Sequence, residues 1–188
     1  SFDGGENWSG SIQGPGVYNS VDPASAINNS GRYFIGYVSS SYGQGVSRSD
    51  NQGSTWTAVT VAPNPGQVAD KNHLWVDNCN ASPYEGNLYD AWTDFGGSNS
   101  NDIVMSRSED DGVSWTSPQN VSSQVNAGSH CQGVNIQTGP NGEVYAAFSI
   151  YDGGGDENAI GLASSFDGGH TWESHRIIGN IRGIRGTG

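Results

Sequence analysis

The chain has 188 residues, with 19 Asp and Glu against 7 Lys and Arg and a formal net charge of −12. Such a charge repels nucleic acids and anionic membranes at long range, which argues against a polyanionic partner. No stretch approaches the ~20 apolar residues of a membrane-spanning helix. A chain with 29 Gly, 33% hydrophobic and 14% charged residues suits many short strands joined by tight turns.

In chain order, the first element is a turn, SFDGGENW (Ser1 to Trp8). A short polar side chain there accepts hydrogen bonds from the amides just ahead of it, and Gly permits positive φ. The Trp carries a large apolar face toward a core while its indole N–H seeks an acceptor. Strands are then predicted near Val17 to Asp22, over RYFIGYVSS (Arg32 to Ser40), over GVSRS (Gly45 to Ser49) and over TAVTVA (Thr57 to Ala62), the last two flanking a second turn, SDNQGSTW (Ser49 to Trp56). A second group follows: HLWVD (His73 to Asp77), NLYDAWTD (Asn87 to Asp94), DIVMSRS (Asp102 to Ser108) and the turn SEDDGVSW (Ser108 to Trp115). The third comprises GVNIQT (Gly133 to Thr138), EVYAAFSIY (Glu143 to Tyr151), AIGLASS (Ala159 to Ser165), the turn SFDGGHTW (Ser165 to Trp172) and ESHRII (Glu173 to Ile178). The second strand of each group is apolar on both faces, as expected for a strand between two packed neighbours.

Four copies of one turn, with Trp residues spaced 48, 59 and 57 apart (Trp8 to Trp56, to Trp115, to Trp172), define a repeat. On these residues the chain resembles the Asp-box, or bacterial neuraminidase repeat, family of sialidase-like β-propellers. The resemblance implies an all-β fold: a propeller segment of three four-stranded antiparallel blades, each with its box between the third and fourth strands. Residues 1–13 then end a preceding blade, 14–64, 65–124 and 125–180 are blades, and 181–188 lead toward another. Three blades do not fill a ring of ~4–8. Either the rest of the protein or another chain supplies the missing blades; a piece of a six- to eight-bladed propeller is the favoured expectation.

In this reading Asp3, Trp8, Asn51, Trp56, Asp110, Trp115, Asp167 and Trp172 are structural. The resemblance puts the box turns on the face opposite the active site. Loops at the other face offer Asp70, Lys71, Asn72 and His73, then Ser129, His130 and Gln132, together with Tyr42, Asp94 and the run Tyr151 to Asn158. Asp70 and Asp94 are the expected catalytic carboxylates, since many glycosidases need only such a pair. Lys71, His73, His130, Tyr42 and Tyr151 are the expected sugar contacts; a solvated connecting loop explains the same residues without chemistry. Asp152, Asp156 and Glu157 lie along a Gly-rich loop able to wrap Ca²⁺. Their spacing matches no EF-hand, a solvated turn explains them equally well, and no other metal or cofactor is expected.

A sialidase of the resembled family clamps a sugar carboxylate with three arginines. Here only Arg182 and Arg185 fall on the working face, and the FRIP-type motif carrying the first arginine is missing, so these residues hold no complete sialidase site. The expected function is a carbohydrate-active, glycoside hydrolase-like propeller with a glycan or glycoconjugate partner. The alternative is a non-catalytic glycan- or protein-binding scaffold. An extracellular or periplasmic location is expected. Cys79 follows one inner strand and Cys131 precedes the next, so a strand of ~17 Å separates them. A disulfide needs Cα atoms within ~7 Å, and free thiols are predicted.

Overall fold

The computed structural model describes residues 1, 3–10, 19–99, 101–125, 130–153 and 155–183. These form three antiparallel sheets of four strands, each a simple meander, with no helix among them. Sheet 1 contains β1 (Asn19–Ile27), β2 (Tyr33–Ser39), β3 (Gln44–Ser49) and β4 (Thr57–Ala62). Sheet 2 contains β5 (Val68–Val76), β6 (Leu88–Phe95), β7 (Ile103–Ser108) and β8 (Gln119–Asn120). Sheet 3 contains β9 (His130–Thr138), β10 (Val144–Tyr151), β11 (Ala159–Ser165) and β12 (Glu173–Gly179).

The sheets stack face to face with sheet 2 in the middle, because β6 is apolar on both sides. Leu88 and Trp92 pack with Phe34, Val46 and Leu74 against sheet 1. Tyr89 and Ala91 point the other way and pack with Ile136, Val144 and Phe148 against sheet 3. Alternate residues of a strand face opposite sides, so one short sequence builds both cores. Each such fully buried side chain contributes about 1.5–3 kcal/mol.

The four eight-residue turns share one hydrogen-bond scheme, save that the Trp115 indole lacks the bond its counterparts make, and three of them join the third and fourth strands of a sheet. In the last, Ser165 Oγ accepts from Gly169 N–H at 2.8 Å while Asp167 Oδ1 accepts from Thr171 N–H at 2.9 Å. Asp167 Oδ2 takes the Thr171 hydroxyl at 2.6 Å, and Trp172 Nε1 donates to Gly169 O at 3.2 Å. Gly5, Gly53, Gly112 and Gly169 all sit at positive φ. The acids are therefore acceptors inside turns. Bonds from Ser114 hold Asp110 down to about 2. Burial pushes Asp167 up, but bonds from Thr171 outweigh it and hold the group to about 2. Asp3 is lowered below the usual carboxylate range by Asn7. Asn51 plays the same part, accepting from Thr55 N–H at 2.8 Å.

The third and fourth turns also grip the preceding sheet. Arg32 pairs with Asp111 at 2.8 Å, Arg107 Nη1 donates to Gly169 O at 3.1 Å, and Tyr89 OH donates to Gly168 O at 3.2 Å. Trp115 and Trp172 pack partly against the two cores and Trp56 is half-buried. Trp8 departs from the expected buried Trp: it is 81% exposed, and no sheet among the described residues underlies the first turn.

The innermost strands need correction. β5 begins at Val68 and β9 at His130, so Asp70 to His73, and His130 to Gln132, lie inside strands rather than in connecting loops. Each inner strand carries a bulge with a positive-φ residue: Asp22 (φ 55), Lys71 (φ 57) and Gly133 (φ 72). The pairing slips there, between Val21 and Ala24, between Asp70 and His73, and opposite Ala147 and Ser149. A bulge breaks the two-residue alternation that marks a strand, which hides the first half of β5 and β9 and the second half of β1, expected to end at Asp22 but running to Ile27. Cys131 consequently lies within β9; both thiols are free. Val17, Ser129 and Arg185 lie outside the described residues.

Candidate functional site

Strands β1, β5 and β9 run side by side, and their bulges fall in a row. Register equates Val21, Asp70 and Gln132 just before the bulge, and Asp22, Lys71 and Gly133 at it. A concave cleft of about 430 Å³ opens here, lined by Pro23, Ser25, Lys71, His73, Gly133 and Asn135 among others. At its edge Gln132 Nε2 donates to Asp70 Oδ2 at 2.7 Å, and Lys71 N–H donates to Asp22 Oδ2 at 3.2 Å. Two carboxylates thus flank the only lysine of the chain.

His73 is committed to the seam between sheets 2 and 3. Its Nδ1 accepts the Ile136 N–H at 3.2 Å, which places its proton on Nε2, 3.4 Å from the Asn135 amide. Burial lowers its pKa and favours this neutral ring.

A second repeated contact crosses the mouth. Tyr42 O accepts from Ala69 N–H at 2.9 Å, Asn101 O from Cys131 N–H at 3.1 Å, and Asn158 O from Ile181 N–H at 3.0 Å. Ala69, Cys131 and Ile181 are therefore equivalent, which puts exposed Arg182 at the position held by Asp70 and Gln132. Along this rim His130 stacks on Tyr151, with centroids 4.2 Å apart and planes at 10°, and Phe95 lies 5.6 Å from His130.

Asp70 and Asp94 are not brought together. Asp94 pairs with Ala69, whose side chain packs toward sheet 1, whereas Asp70 pairs with Thr93, whose hydroxyl donates to Cys131 O in sheet 3. Cross-strand partners share a face, so the two carboxylates lie on opposite faces of the sheet. Asp94 is buried and held by the Asn99 amide. The carboxylate that reaches this stretch of β5 is instead that of Asp22, on the Lys71 N–H. Superposing the inner strands on their bulges is the sequence signal that finds it.

Asp152 is clamped by both terminal nitrogens of Arg176, at 2.6 and 2.7 Å, and by Asn158 at 3.1 Å. The described residues hold no group of three or more His, Cys, Asp or Glu arranged for a metal. Behind the bulge, fully buried Asp90 sits 3.5 Å from the Asn72 amide, and burial pushes it well above the carboxylate range.

No protein-family model matches this chain, and no curated protein matches it. Solved structures do. One is an α-L-arabinofuranosidase of Fusarium graminearum in complex with an iminosugar inhibitor: TM-score 0.57, 13% identity, 88% of this chain and 51% of that one. Another is a protein of unknown function from Dyadobacter fermentans: TM-score 0.62, 15% identity, 94% of this chain and 50% of that one. A third is the intramolecular trans-sialidase of Ruminococcus gnavus in complex with oseltamivir carboxylate: TM-score 0.52, 18% identity, 81% of this chain and 32% of that one. These neighbours are β-propellers, and at such identities the likeness shows the fold. The chain spans about half the length of the first two.

Proposed function

We propose that the three sheets are consecutive Asp-box blades of a larger, six- to eight-bladed propeller that acts on or binds carbohydrate, with the sugar seated in the cleft at the inner-strand bulges. The observation that carries this reading is the convergence of Asp70, Gln132, Asp22 and Lys71 where three inner strands open onto a concave wall. Such a set offers acceptors and donors at fixed positions, which is what sugar hydroxyls require. Several structural neighbours are glycoside hydrolases or lyases of polysaccharides, which supports the substrate class.

Asp70 is the proposed general acid or base, since Gln132 anchors one carboxylate oxygen and leaves the other for substrate. A non-catalytic glycan-binding role is favoured by one observation: Asp94 lies on the far face of the sheet and cannot complete a pair with Asp70. A panel of fluorogenic glycosides run beside a glycan array on the full-length protein separates the two. Turnover abolished by Asp70→Asn supports the enzyme. Binding without turnover, lost in the same variant, supports the scaffold. Unchanged turnover and unchanged binding in Asp70→Asn remove Asp70 from the site.

A further inference from the structure

We infer that Tyr42 is a sugar-stacking platform, an exposed aromatic held in an unfavourable backbone conformation on the loop that caps Ala69, the residue before Asp70; this rests on the carbohydrate reading above. Tyr42 has φ 65, in the left-handed region, where a bulky side chain is an outlier. The register equates it with Asn101 and Asn158 of the other sheets. Asn101 has φ 62, and Asn is a residue that tolerates this conformation.

The fold needs only the backbone at this position. Tyr42 O caps the Ala69 N–H as Asn101 O caps Cys131. The residue is 54% exposed and belongs to neither apolar cluster. Nothing in the packing explains an aromatic there.

The loop that carries Tyr42 is closed by its own hydrogen bonds. Tyr42 N–H donates to Ser39 O at 2.9 Å, Ser39 N–H to Gly43 O at 2.8 Å, and Gly43 N–H to Ser39 Oγ at 3.1 Å. Gly43 admits no side chain, since a Cβ would lie 2.5 Å from Ala62 O. Tyr42 and Gln44 together clamp both ends of Ala69: Gln44 Nε2 donates to its carbonyl at 2.7 Å. The residue after Ala69 is Asp70. Strain retained in a loop bonded to the strand that carries Asp70 is a pointer to function. An exposed aromatic face with a hydroxyl at its tip suits the apolar face of a sugar ring and its rim of hydroxyls.

The test compares wild type with Tyr42→Gly, Tyr42→Asn and Tyr42→Trp. Binding of arabinohexaose, galactotriose, xylohexaose and sialyllactose is measured by calorimetry, beside thermal unfolding. Tyr42→Gly and Tyr42→Asn are expected to raise Tm and weaken the bound sugar by about tenfold or more. Tyr42→Trp, which restores a ring face, is expected to keep binding. Wild-type affinity in Tyr42→Gly overturns the stacking role while leaving the carbohydrate reading in place. A lower Tm in Tyr42→Gly also overturns it, since the ring would then be a packing element. If wild type binds none of the four sugars, both readings fall for these blades.

Discussion

Replacing Asp90 with Asn is expected to stabilise the protein increasingly as pH rises. Asp90 is fully buried in β6, facing sheet 1; its Oδ2 has no partner, and neither does the Oγ of Ser106 across the ladder. Its one contact, the Asn72 Nδ2 at 3.5 Å, favours the ionised form. Turning that amide over gives Asn72 better bonds, to Asp22 O at 2.5 Å and from Tyr37 N–H at 3.3 Å. The turned amide, favoured by these bonds, presents oxygen to Asp90, an acceptor that only a protonated carboxyl can use. Either way burial dominates and raises the folded pKa well above 3.8. The folded state therefore holds its proton where the unfolded state has lost it. Stability from this group is fully present below the unfolded value and drains away as pH rises toward the folded one. In that window wild type loses about 1.4 kcal/mol per pH unit relative to Asp90→Asn. The amide brings its own unmatched groups, a penalty of about 1–3 kcal/mol that does not vary with pH. The informative quantity is thus the change in the stability gap, which cancels titrations common to both proteins. Urea unfolding of each between about pH 4 and about pH 7 measures it. A constant gap across that range would refute a protonated Asp90.

Two further outcomes follow from the burial of single groups. Burial pushes the Cys131 thiol up to about 12, so iodoacetamide should label only half-buried Cys79 in the native protein and both thiols after unfolding; native labelling of Cys131 would contradict its placement in the core. The Trp172 indole donates to Gly169 O, whereas the buried Trp115 indole finds no acceptor among the described residues, so Trp172→Phe should cost about 1–2 kcal/mol more than Trp115→Phe by urea titration, and the reverse order would show the Trp115 donor to be satisfied.

What was legible in the sequence is what local chemistry dictates. The eight-residue turn repeats because Ser, Asp and Gly must stand at fixed offsets for one side chain to reach amides two and four residues ahead. The second and third strands of each sheet could be placed from their apolar runs, since both flank packed neighbours. Inner strands were cut short because bulges at Asp22, Lys71 and Gly133 disturb the alternation. The pairing of Asp70 with Asp94 failed for a related reason. Which face a residue takes depends on register, and a shift of one residue reverses it. No spacing within Asp70 to Asp94 reveals that Ala69, not Asp70, lies across from Asp94.

Once register is known, the repeat becomes its own control. Three sheets with one plan solve the same packing problem three times, so a position that differs in cost among them carries something besides packing. Ile35 and Ala146 fill with carbon the place where sheet 2 buries Asp90. Asn101 takes a left-handed turn that Tyr42 takes at higher cost. Val21 occupies in sheet 1 the position that Asp70, Gln132 and Arg182 turn into a row of acid, amide and guanidinium. A fold indifferent to function would use the cheap residue in every sheet. The expensive departures gather around Ala69 to His73, on the inner strand of the central sheet and the loop that clamps it. That concentration agrees with the site proposed above, at the inner-strand cleft rather than at the four turns.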